Sequence, residues 1–165
     1  MARFEAAFKR IVLALAVLAG AILSVIALAI PVDVTLRACC SAAIFGLGDL
    51  TEHGIAAATF LGAPWVLMRN GHVAVDIVIN NLPLRARARL AVLVNVVGAA
   101  VSAIFAFYMG TALSIALGRG SIAVGIIAVP EWLTFVAPTI SLALFAIGFL
   151  LRIGRDRQAR QVQGL

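Results

Sequence analysis

Charge is the scarcest property of this 165-residue sequence. Only 12% of its residues are charged, 64% are apolar, and the mean hydropathy is +1.13. A soluble domain carries about 25% charged residues, so this chain has too little polar surface to clothe a globule in water. That excludes a soluble enzyme, a disordered tail and a nucleic-acid binder. The formal net charge of +6 does not restore the last of these, because the basic residues lie between apolar blocks instead of on one face. Cysteine is scarcer still. Cys39 and Cys40 are the only two, and they are adjacent. They form neither a disulfide framework nor a CxxC redox motif. Free cysteine tends to be buried, so apolar packing is the expectation for both. There are also only two histidines, His53 and His72. They flank one expected helix about 28 Å apart along its axis and cannot share a haem. Neither has enough companions for a metal site, so no cofactor is expected.

What the sequence does have is four long apolar blocks. At about 1.5 Å per residue, crossing a membrane takes roughly 20 apolar residues. The blocks predict spans over approximately 11–30, 47–68, 90–117 and 132–151, in a single four-helix membrane domain covering residues 1–165. The fold class expected is an all-α integral membrane protein with short interfacial helical segments. The second span is the least clean, because Asp49, Glu52 and His53 fall in its first part. The third is long, about 42 Å against a hydrocarbon core of about 30 Å, and must tilt or protrude. Pro64 and Pro138 each remove a backbone donor inside a span. Trp65 and Trp132 fit interfacial anchors.

The basic residues set the orientation. Eleven of the thirteen lie at the N-terminus, between spans two and three, or at the C-terminus. The positive-inside rule then places both termini and the middle loop in the cytoplasm. Ala27-Leu28-Ala29 looks like a signal cleavage site. The apolar run before it is about 20 residues, longer than the 7–15 of a signal core, so a retained span is expected. Phe4 and Phe8, with Arg3, Lys9 and Arg10, suggest a segment lying on the inner membrane surface before the chain turns into span one. Arg85, Arg87 and Arg89 open a helix whose dipole they oppose, which points to anionic membrane lipid as their partner.

Ionisable residues near a membrane are functional candidates. In a helix, Asp33 and Arg37 are four apart and can pair. Arg37 can instead reach Glu52 and tie span one to span two. Solvated interfacial charges, or a substrate or proton site, are the other readings. The pairs Gly20 and Ser24, Gly98 and Ser102, and Gly110 and Ser114 allow close helix approach. No span carries a charge near its middle, whereas a transport path normally needs polar groups or broken helices there. The residues therefore describe a partner or scaffold better than an independent transporter.

The order of features resembles a known family. Arg37 follows span one and Glu52 opens span two. Leu61-Gly62-Ala63, Arg69, His72-Val73-Ala74-Val75-Asp76 and Leu82-Pro83 come next. Pro130 and Trp132 precede span four, and Pro138 lies within it. This order is similar to the small membrane subunit of tripartite ATP-independent periplasmic (TRAP) transporters, of the dicarboxylate-transporter small-subunit type. Ala38-Cys39-Cys40-Ser41 departs from the pattern, which has aromatic and polar residues there.

The resemblance implies sodium-gradient-driven uptake of organic acids across a bacterial inner membrane. It implies a periplasmic solute-binding protein and a large membrane subunit that holds the substrate and ion sites. Arg37, Glu52, Gly62, Arg69, His72, Val73, Asp76, Pro83 and Pro130 are then structural or subunit-contact residues, with no catalytic, substrate or metal role. Two other readings stand beside it. A small thiol or glutathione enzyme would have to use Cys39 and Cys40. A homodimeric exporter would need a carboxylate at mid-depth, and Glu52 is the nearest.

Overall fold

The computed structural model describes residues 2–69, 84–123 and 125–162. It is helical apart from one small hairpin. Helix α1 spans Ala2–Cys40, α2 Leu47–Met68, α3 Leu84–Arg119 and α4 Glu131–Val162. Between α3 and α4, strands β1 (Ile122–Ala123) and β2 (Val129–Pro130) pair antiparallel, with Ile122 opposite Pro130 and Ala123 opposite Val129.

The helices alternate in direction. α1 packs on α2, α2 on α4 and α4 on α3, so the main contacts run in a row with α1 and α3 at its edges. Each edge helix buries one narrow stripe. On α1 the buried positions are Phe8, Val12, Ala19, Ile26 and Asp33, and on α3 they include Asn95, Ala99, Ser102 and Ala116. Val12, Ala19, Ile26 and Asp33 are each seven apart, as are Asn95 and Ser102. That 3.5-residue period is the seam of left-handed helix packing. Between the charged helix ends, most of the remaining surface of both helices is apolar and exposed, for example Leu13, Val17 and Leu28 on α1 and Val97, Ile104 and Phe107 on α3.

Small side chains bring the helices together. Ala19, Ala58, Leu61 and Ala137 form the cluster where α1, α2 and α4 meet. Gly98 of α3 lies under the Phe149 ring of α4, where a Cβ would stand 2.7 Å from the ring. Gly54 of α2 similarly receives Ile26 of α1, 2.8 Å from where its Cβ would be.

Among the described residues, three helices carry stretches long and apolar enough to cross a membrane: Arg3–Cys40, Arg89–Arg119 and Glu131–Gly154. α2 is not among them. It is free of charge only from Gly54 to Met68, about 22 Å of helix against a core of about 30 Å.

Two expectations need correction. The N-terminal segment does not turn before span one. α1 is continuous from Ala2 to Cys40 through Pro31, about 58 Å at helical rise. Its first turns are held along the bundle because Phe8 and Val12 are already buried in the seam. Cys39 and Cys40 are free and exposed instead of packed. They follow the last buried position of α1, Asp33, and the chain then leaves the helix through Ser41 at φ 49°.

Candidate functional site

Charged side chains collect at the two ends of the row. At one end α1 and α3 finish while α2 and α4 begin. Arg37 and Arg119 stand in the last turns of the first pair, and Asp49 and Glu131 in the first turns of the second. Each charge has the sign that its helix dipole favours.

Hydrogen bonds join these four helix ends. Arg37 donates through Nε to Asp33 Oδ2 at 2.7 Å, and the Ile44 N–H donates to Asp33 Oδ1 at 2.6 Å. Asp33 therefore fastens the α1–α2 connection back onto α1. Asp49 of α2 accepts the Ile127 N–H at 2.8 Å, from the hairpin loop. Gly125 permits that approach, since a Cβ there would lie 2.6 Å from Asp49 Oδ2. Gly46, just before α2, adopts φ 71° with Ile127 packed against it. Any side chain at Gly46 would be strained and would collide with Ile127. The Ser121 hydroxyl donates to Glu131 Oε2, joining the end of α3 to the start of α4.

Above this junction lies a cleft of about 280 Å³, lined by residues that include Asp49, Glu52, His53, Glu131, Thr134 and Phe135. His53 Nδ1 lies 2.8 Å from the Asp49 carbonyl oxygen. Three of its lining side chains are carboxylates, Asp49, Glu52 and Glu131. Among the described residues, no group of three or more His, Cys, Asp or Glu side chains has metal-binding geometry.

The other end of the row is basic. The Arg69 guanidinium sits 4.9 Å above the Trp65 ring, a cation–π contact. Arg152 of α4 reaches the Leu67 carbonyl at 3.5 Å. Lys9 and Arg10 are exposed on α1 and Arg89 on α3.

The expected site residues divide accordingly. Arg37 pairs with Asp33 and not with Glu52, which stands exposed on the cleft. Gly62 faces the Ala19 methyl group, 3.7 Å from where its own Cβ would be. Arg69 belongs to the basic end. Pro130 is the strand residue opposite Ile122. His72, Val73, Asp76 and Pro83 lie outside the described residues. The hydrogen-bonding role of Asp49 and the contacts of Gly46 and Gly125 were not anticipated from the sequence. A glycine before a helix, and another in the facing loop, were the available signals.

The row of helices, with charges confined to its ends, fits a membrane component, and comparison with known families decides which one. The family described as "Tripartite ATP-independent periplasmic transporters, DctQ component" matches residues 26–159. The chain belongs to this family. The match bears out the family resemblance read from the sequence. No curated protein matches the chain. The DctQ family is a transporter component and not an enzyme family. A membrane component of this transporter class also accords with three helices apolar enough to span a bilayer.

Proposed function

We propose that the chain is the small membrane subunit of a sodium-coupled TRAP-type transporter for organic acids in a bacterial inner membrane. It is a static partner of the large subunit that moves the substrate, and a periplasmic binding protein delivers the solute. All four helices cross the bilayer, and both termini are cytoplasmic.

The observation that carries this reading is the charge distribution on a DctQ-family fold. The described ionisable groups of the helices gather at the two ends. Of those at the junction, Asp33, Arg37, Asp49 and Glu131 are hydrogen-bonded in ways that hold helix ends together. The deeper buried polar residues, Asn95 and Ser102 of α3 and Ser141 of α4, are neutral. A charged solute has no path here, so translocation belongs to a partner. The exposed apolar faces of α1 and α3 supply surface for that partner and for lipid. α2 crosses despite its short charge-free stretch, because Asp49 is hydrogen-bonded by the hairpin and α1 and α4 flank the helix.

The test is a mild-detergent pull-down of the tagged chain from its native membrane, with the co-purifying proteins identified. A large multi-span partner in stoichiometric amount is expected. Recovery of the chain alone, or only with copies of itself, would favour the homodimeric exporter or the thiol enzyme.

A further inference from the structure

Between α1 and α2 lies an open apolar groove of about 680 Å³. Leu13, Val17, Gly20 and Leu23 form one wall, and Gly62 and Val66 lie on the other. Three features set this groove apart from the generally apolar exterior. The first is its length. Leu13 to Leu23 is about 15 Å of helix, half of a hydrocarbon core of about 30 Å. The groove stops where Ile22 and Ile26 close onto Gly54. It is therefore one leaflet deep, whereas a transmembrane helix from a partner would run through both leaflets.

The second feature is charge. Lys9 lies one helical turn before Leu13, on the same face of α1 as the groove. Arg69 lies one turn after Trp65, itself a lining residue, and stacks on its ring. Both cations are exposed and lie one turn beyond lining residues of the groove, toward the basic end. The third is Gly20. A Cβ at this position would meet no atom within 4 Å. A glycine in mid-helix costs about 1 kcal/mol relative to alanine. Unlike Gly54 and Gly98, this glycine makes room for no neighbouring side chain, and it is the one such helical glycine among those lining the groove.

We propose that the groove binds one anionic phospholipid of the cytoplasmic leaflet. Its phosphate rests between Lys9 and Arg69 at the level of Trp65, and an acyl chain lies along Gly20 and Gly62 toward the middle of the bilayer. The leaflet assignment rests on the orientation proposed above. The lipid contact itself does not depend on a large subunit.

Native mass spectrometry tests this on the full chain released from micelles of equimolar phosphatidylglycerol and phosphatidylcholine. One retained lipid per chain is expected. Phosphatidylglycerol should be preferred roughly tenfold or more, the scale for two cations beside an anionic head group. Lys9→Gln with Arg69→Gln should keep a lipid but lose the preference. Gly20→Leu, whose Cβ would meet no neighbour and whose side chain would project into the groove, should keep the melting profile and lose the lipid. Equal retention of the two lipids by the unsubstituted chain, or a lipid that survives Gly20→Leu, would overturn the proposal. So would loss of the lipid when a large subunit co-purifies, since a partner segment would then own the groove. If no large subunit co-purifies, the functional reading fails while the lipid result stands.

Discussion

Gly98 and Gly20 are both glycines in apolar helices with a serine four residues on, and their sequence contexts are alike. Their surroundings are opposite. The Phe149 ring covers Gly98, while Gly20 faces open space. Gly98→Ala should destabilise the chain by about 1–3 kcal/mol, the usual cost of overpacking. Combining it with Phe149→Leu should recover part of the loss, because the two residues share one contact. Gly20→Ala should be neutral or stabilising by up to about 1 kcal/mol. Melting of the purified variants in detergent checks all three. The pairing of Arg37 was legible only as a choice between Asp33 and Glu52. Four-residue spacing allowed the first partner, but the choice depended on α1 continuing past Pro31. Where a proline sits in an apolar run, sequence alone does not say whether the helix continues.

The helices themselves were plain in the apolar blocks, and α2 begins and ends where the second block was read. Their packing faces were not. When every face is apolar, hydropathy does not mark the buried one, so the seven-residue recurrence of Val12, Ala19, Ile26 and Asp33 passes unnoticed. The hairpin between α3 and α4 was hidden for a different reason. Its strands are two residues each, and it is fixed by long-range contacts to Asp49 and Gly46. Asp49→Ala should leave the Ile127 N–H without its acceptor and cost about 1–3 kcal/mol, at the lower end because Asp49 is partly exposed. Hydrogen exchange should then quicken across residues 125–130 and at the start of α2, with α1 and the middle of α3 unchanged. Uniform quickening throughout would contradict a local docking role.

The arrangement as a whole is a row of helices with an acidic junction at one end, basic groups at the other and apolar faces on both edges. Such a structure is suited to being packed against and poorly suited to carrying a charged solute alone. Its orientation can be read with the native thiols. Cys39 and Cys40 are exposed at the junction end, so a membrane-impermeant maleimide added outside spheroplasts should label them. Labelling only after the cytoplasmic side is opened would reverse the topology. On the proposed function, the chain enables transport without performing it. Sodium-driven uptake of a labelled organic acid into proteoliposomes tests it most directly, comparing the chain alone, its large subunit alone, and both together, each with the binding protein. Uptake is expected only when both membrane subunits are present. Uptake by the chain alone, or undiminished uptake by the large subunit without it, would contradict the account.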